Sequence, residues 1–586
     1  MKKFKKILVA TSSLSLLAAT ATPVITSCSS NSGFQVDENF VKDLKNETIS
    51  QFMALTPAAP HYSNVGDPGD GQNLKAIKQY YEKLVTEMGL VWNKQPDGEG
   101  YEGNAYFDIP ANDNGKNMKP IILQAHMDMV YANTDKSVDK HNVTIELVDE
   151  VVNGERVIHS KDYKTSIGAD DGIGIAIILS LAKNRTKFEH GLIRCIFTTD
   201  EEPGLIGAEN IPHEDNENWF RIKPDDKTSN TIDYLLNLDN EDLKTLVVAS
   251  MGGSNNNVSL KLKNDDTHDY VISTSGLTNI KYFEFKASDF KGGHSGSEFN
   301  NGKTNPFTIL VSALDDIRLL NKEIYDSFHL VDISSPNDSV SNKIPQSGSI
   351  TFAIDSTETK EQIQERLAGL KTHYDNLIKA QYPAETTAKL EFTLKEDNLP
   401  NKIIATPESH NITGFIDHLA NGIFIPETVD GYHTTSNYAP INLKVNETDD
   451  ELSFNISIYA RSYSSDILEY LWSTITDDTI RYFLPYGTTA VTYEKVAYYD
   501  PWYPEAGTNK LESITKDAYK FIGNDNPEKT LIAGGLELSW WYRYNHGMNL
   551  ATIGPELVDP HDVKEMVKVD SIDKVIKMTL YTIANI

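Results

Sequence analysis

The sequence predicts an α/β fold, a mostly parallel central sheet flanked by helices, on two observations. Short apolar runs of strand length recur at residues 118–124, 192–198, 232–238 and 550–553, and carboxylates or a histidine follow each of them. Around these runs lie segments whose apolar residues repeat at helical spacing. In open α/β sheets ligands gather outside the carboxyl ends of the strands, so residues remote in sequence converge there. With 39% hydrophobic and 9% aromatic residues, and 24 prolines and 35 glycines spread along the chain, the composition is globular. A chain of 586 residues exceeds what one core usually holds, so two domains are expected.

The 54 Lys and Arg residues against 84 Asp and Glu give a net charge of −30. That balance argues against nucleic acid and bare anionic membrane as partners. The two cysteines, Cys28 and Cys195, exclude a cystine scaffold. Lys2, Lys3, Lys5 and Lys6 precede an apolar run over residues 7–25 that ends in Ile25-Thr26-Ser27-Cys28, the pattern of a secretory signal. The small residue ahead of the cysteine resembles the lipobox of bacterial lipoproteins. This implies a signal peptide over residues 1–27, acylation of Cys28, and a lipid-anchored protein on the extracellular face of a bacterial cell membrane. Removing residues 1–27 with their four lysines leaves −34. Residues 28–36 are small and mostly polar, as a flexible tether would be. Cys195 lies in an apolar run, so no disulfide is expected. No later apolar stretch is long enough to span a bilayer.

Helices are expected over residues 38–54 and 74–88, the second closing at Gly89. The run 118–124 ends at His126-Met127-Asp128, and a ligating imidazole wants its second nitrogen held by a carboxylate. Ser166 to Gly172 carries Asp170-Asp171 into a glycine-containing apolar helix over residues 173–182. That Asp pair reads equally as a helix N-cap. The run 192–198 leads to Asp200-Glu201-Glu202-Pro203-Gly204, the run 232–238 to Asp239-Asn240-Glu241-Asp242, and the run 550–553 to a loop with Pro560-His561. Each acidic segment taken alone could be a solvated loop. Their repetition at strand ends suits a metal centre.

Taken in order, HMDMV, GADDGIG, TTDEEPGLIGAENI, LNLDNED and GGHSG resemble the M20 metallopeptidases, in particular their aminoacyl-histidine dipeptidase (carnosinase-like) branch. The resemblance implies a zinc-peptidase-like catalytic domain over residues 37–251 and 499–586, with an α+β lid domain inserted at 252–498. Strands at 281–285, 350–354 and 452–459 and a helix at 361–381 are expected in the lid. It further implies two divalent ions, normally zinc, with manganese or cobalt as alternatives. Asp170 would bridge them, His126 and Asp239 would hold one, and Glu202 and His561 the other. Asp128 would orient His126, and Glu201 would be the general base. His546 competes with His561, which is preferred because it follows the last strand and because Gly554-Pro555 resembles the family's turn.

On the lid, His294 would stabilise the oxyanion, and Asn342 and Arg461 would bind the substrate carboxylate. Where the branch carries His-Ala-Gly-Leu-Glu this chain has Ala533-Gly534-Gly535-Leu536-Glu537, which bears on substrate preference. The acidic stretch 212–230 reads as a solvated surface loop. The resemblance implies an extracytoplasmic dipeptidase acting on short peptides, Xaa-His-like or broad, with a homodimer possible through the lid. The alternatives are an N-acyl amino acid hydrolase of the same superfamily and a non-catalytic peptide-binding lipoprotein, against which the intact Glu201 argues.

Overall fold

A computed structural model describes residues 34–58, 72–98, 101–138, 143–320, 322–337, 339–395, 399–429 and 432–586. The signal segment 1–27, Cys28 and the tether as far as residue 33 lie outside the described residues. Residues Glu38–Ile586 form one compact unit. No helix among the described residues is long and apolar enough to cross a membrane.

The helices Glu38–Ala58 and Gln72–Glu87 match the expected periodicity. Gly89 ends the second in the left-handed region, at φ +73°. The amides of Gly89 and Leu90 bond back to the carbonyls of Thr86 and Val85 at 2.9 and 3.1 Å, which closes the helix as glycine caps do. The first sheet has six strands, in the order Asn93–Lys94, Ala105–Ile109, Ile193–Thr198, Ile121–His126, Tyr234–Asn237 and Asn549–Thr552. Its last four are mutually parallel, so their carboxyl ends lie along one edge. They correspond to the four apolar runs. The helix Ala169–Lys183 is buried from Ala169 through Ala182. A Cβ on Gly172 would meet the Phe52 ring at 3.1 Å, so this glycine permits close packing on the first helix.

The second sheet is antiparallel, with nine strands drawn from residues 252–499. The expected lid strands fall within Ile280–Ser288, Gly348–Asp355 and Glu451–Ser462. The expected helix is Lys360–Gln381, started by a Thr359 and Gln362 capping box. Eight of the nine strands form two βαββαβ units, and the ninth, Gly422–Val429, pairs at the edge with Tyr432–Asn446. One comprises Ile280–Ser288, Pro306–Arg318, Phe328–Ser334, Gly348–Asp355, Lys360–Gln381 and Lys389–Lys395. The other comprises Gly252–Lys263, Thr406–His418, Tyr432–Asn446, Glu451–Ser462, Ser465–Phe483 and Val491–Tyr499, the first unit being inserted after its opening strand. Both units have the strand order 4-1-3-2, and they join where Ile333 and Ser334 pair with Leu443 and Asn442.

The stretch 212–230 is mostly exposed or half-buried, as expected of a surface loop, but residues 218–220 are buried. Trp219 and Phe220 are wholly buried. The buried Arg194 guanidinium donates to the carbonyls of Trp219 and Arg221 at 2.7 and 2.5 Å while pairing with Asp108. Two aromatics and one arginine pin an otherwise exposed acidic loop to the core.

Candidate metal centre

Parallel strands end where the candidate ligands begin, and the ligands meet. His126 closes its strand. Its Nδ1 lies 3.0 Å from the Asp128 carbonyl, and its Nε2 lies 2.9 Å from Asp170 Oδ1 and 3.6 Å from Asp239 Oδ1. His561 Nε2 lies 2.9 Å from Asp170 Oδ2 and 3.0 Å from Glu202 Oε1. The groups His126, Asp170, Asp239 and Asp170, Glu202, His561 therefore share Asp170, and within each group the ligand atoms lie within 4.8 Å of one another. His126, Glu201 and Glu202 form a third such group. His546 is elsewhere, exposed and edge-on to Tyr542.

The Asp pair divides the two roles read for it. Asp170 turns to the histidines, whereas Asp171 Oδ1 accepts the Gly174 amide at 3.2 Å, as a cap does. Both have non-helical backbone, so the regular helix starts after them. Asp128 does more than orient His126. Its carbonyl accepts from the ring, and its carboxylate accepts the amides of Glu201 and Glu202 at 3.0 and 3.2 Å. Asp200 and His561 flank the site with φ of +51° and +64°, a conformation that side-chain-bearing residues adopt at some cost.

Beneath the ligands a buried polar ladder crosses the four parallel strands. Glu537 accepts from Gln124 and from Thr198, the latter at 3.0 Å. Gln124 accepts from Asn237 at 2.8 Å, and Asn237 from Thr552 at 2.5 Å. Burial raises Glu537 to about 7.

The electrostatics are those of crowded carboxylates. Burial opposes the charge of Asp170, yet hydrogen bonds from His126 and His561 outweigh it and hold this carboxyl far below the usual range. Burial, then the charge of Asp170, raises Glu202 to about 7 and lifts Asp239 well above normal. Burial and Glu202 do the same to Glu201. Burial works against a charge on His561, but Asp170 and Glu202 raise it to about 11.

These residues fit a divalent cation. Burial opposes a charge on His126, but Asp239, Asp128 and Asp170 raise its pKa well above normal, so without a metal Nε2 carries a proton toward Asp170; a cation displacing that proton would leave Nδ1 donating to the Asp128 carbonyl and the Nε2 lone pair free to bind it. Glu202 Oε1 is buried, makes no well-formed hydrogen bond among the described residues, and lies 3.0 Å from His561 Nε2. Imidazole and carboxylate lone pairs converging in this way are a ligand set for zinc or a similar ion.

A second cluster holds the candidates on the nine-stranded sheet. Arg461 is 3% exposed. It donates from Nη1 to Tyr499 Oη at 3.1 Å and from Nε to Ser295 Oγ at 3.4 Å, and it lies over the Tyr459 ring at 4.7 Å. Among the described residues no carboxylate pairs with it. His294 Nδ1 accepts the Gly296 amide at 3.3 Å, which leaves the ring proton on Nε2. Burial and the neighbouring Arg461 charge lower its pKa to about 3, so the ring is neutral. A Cβ on Gly296 would lie 2.4 Å from the Ala533 carbonyl oxygen and 2.7 Å from Arg461 Cδ; the glycine allows these segments to meet. Asn342 is exposed, and its carbonyl accepts the Ser295 amide at 3.1 Å. Among the described residues no hydrogen bond or ion pair joins His294, Asn342 or Arg461 to the metal-ligand group. Sequence reasoning missed Glu565, whose carboxylate receives the main chain of residues 167–170, and gave Glu537 no role.

Residues 108–279 match the profile described as peptidase family M28. The chain is 25% identical over 500 residues to the cytosol non-specific dipeptidase of Escherichia coli, covering 84% of this chain and 91% of that one. Its fold is similar to that of the aminoacylhistidine dipeptidase from Vibrio alginolyticus, with a TM-score of 0.68 and 22% identity, over 93% of this chain and 98% of that one. The matching profile and the sequence relative are both of peptidases, which are hydrolases.

Proposed function

We propose that this chain is a metal-dependent dipeptidase with a two-ion centre. The observation that carries the reading is the pair of ligand groups joined by Asp170. In this reading His126 and Asp239 hold one ion, Glu202 and His561 the other, and Asp170 bridges. Residues 37–251 and 499–586 form the catalytic domain and 252–498 the lid. Two divalent ions there would polarise the scissile carbonyl, acidify a water and lower the raised pKa of Glu201. Glu201, fixed through its amide by Asp128, takes the proton of the attacking water and passes it to the leaving amine. The neutral His294 donates from Nε2 to the carbonyl oxygen as charge develops there. Arg461, buried with no carboxylate paired to it among the described residues, receives the free C-terminal carboxylate, for which its planar fork is suited.

The same reading places the protein outside the membrane, tethered through acylated Cys28. The Escherichia coli relative is by name cytosolic, so this location rests on residues 2–28 alone. A hydrolysis screen over dipeptides and N-acyl amino acids tests the function. Cleavage of dipeptides is expected; cleavage of N-acyl amino acids alone would replace the dipeptidase with the acylase alternative, and binding without cleavage with the peptide-capture one.

A further inference from the structure

His561 and Glu565 belong to one hairpin. Its strands Leu557–Val558 and Met566–Lys568 pair antiparallel, and the second pairs with Glu155–Ser160. His561 sits in the connecting turn with its ring on Asp170. Glu565 stands at the foot of the turn, 2% exposed. Its Oε2 accepts the amides of Ile167 and Gly168 at 2.7 and 3.1 Å, and its Oε1 those of Ala169 and, more weakly, Asp170 at 2.8 and 3.4 Å. Four successive amides can face one carboxylate only where the chain bends. The bend is at Gly168, φ +64°, where a Cβ would collide with Met129 Sδ at 2.8 Å. The amides are buried, so an unpaired one would be costly.

We infer that Glu565 is a positioning residue of the metal centre: by gripping the main chain of residues 167–170 it sets the place of Asp170, and through its hairpin it couples that placement to the docking of His561. One hairpin thus holds the bridging segment twice, by the His561 ring on the Asp170 side chain and by the Glu565 carboxylate on the backbone behind it. Glu565 itself belongs to none of the ligand groups. The inference rests on the metal reading above.

The test strips metal from the wild type, Glu565→Gln and Glu565→Asp, and titrates each with Co2+ alone, followed by calorimetry and visible absorption, with circular dichroism reporting the fold. The wild type should bind two Co2+. Glu565→Gln, which replaces one of the two acceptor oxygens with an NH2 aimed at amide donors, should stay folded but bind at least one Co2+ 10- to 100-fold less tightly, roughly the loss seen when an outer partner of a metal ligand is removed. Its kcat on a dipeptide should fall with KM nearly unchanged. Glu565→Asp keeps the charge but withdraws it by one methylene, and should fall between. A purely structural role would lower the melting temperature and leave the Co2+ affinities and spectrum of the folded protein alone. Variants that fold and bind two Co2+ within twofold of the wild type would overturn the inference; if Glu565→Gln does not fold, Glu565→Asp decides by the same criterion. A wild type that binds no Co2+ would instead overturn the metal reading beneath it, a result distinct from two tight ions in every protein.

Discussion

Replacing Arg461 with alanine should separate substrates by their C-terminus. A guanidinium has five N–H donors in a fixed fork. Among the described residues two of them are used, toward Tyr499 and Ser295, and no carboxylate neutralises the charge. Three donors are therefore left for a ligand in a site 3% exposed. Truncating one partner of such a buried, charge-assisted pair costs about 2–5 kcal/mol, and every 1.4 kcal/mol is tenfold, so KM for a free dipeptide should rise roughly 30- to 5,000-fold. The dipeptide amide has no carboxylate to lose, so Arg461→Ala should leave its kinetics almost unchanged. The assay compares kcat/KM for a dipeptide and its C-terminal amide in both proteins, with a thermal melt confirming that Arg461→Ala is folded. If the wild type cleaves both equally and the variant weakens both alike, Arg461 packs the lid and binds no carboxylate.

Glu201→Gln should retain its metal while turnover drops about 10²- to 10⁴-fold, whereas Glu202→Gln should lose metal; the reverse metal contents would exchange the two roles. His294→Ala should lower kcat on the dipeptide and on its amide alike. The His294 ring is neutral in the fold down to about pH 3 but takes a proton near 6.5 once unfolded, so its contribution to stability is present above pH 6.5 and is lost as the pH falls. Between pH 6.5 and 4.5 the metal-free wild type should lose about 2 kcal/mol more than His294→Gln in urea melts, and parallel pH profiles would contradict the burial of a neutral ring. Cys28→Ala should move the protein from the detergent phase to the aqueous phase, because the chains on a lipoprotein cysteine anchor firmly; a wild type that already partitions into water removes the anchor.

The strand ends were legible because the parallel strands are buried on both faces, which writes each as an unbroken apolar run stopped by a polar residue. Gly89 was legible as a cap because only a residue tolerant of positive φ ends a helix that way. Other features act through the main chain and leave no side-chain pattern. The Asp128 carboxylate serves the amides of Glu201 and Glu202, and Glu565 serves four amides some 400 residues away in sequence. Trp219 and Phe220 were hidden because two aromatics among acids and asparagines carry no periodicity. Tyr499, which holds Arg461, comes from a different strand of the sheet, reached only through pairing with Gly253. The joining of the two βαββαβ units through Ile333 and Leu443 is likewise a non-local pairing that no local pattern announces.

The most direct test of the central claim is a stoichiometric titration: chelated, metal-free protein receives Zn2+ in steps while dipeptide hydrolysis and bound metal are measured on the same sample. The account predicts no hydrolysis without metal and full activity at two ions per chain. Full activity in protein from which no metal can be detected would contradict it.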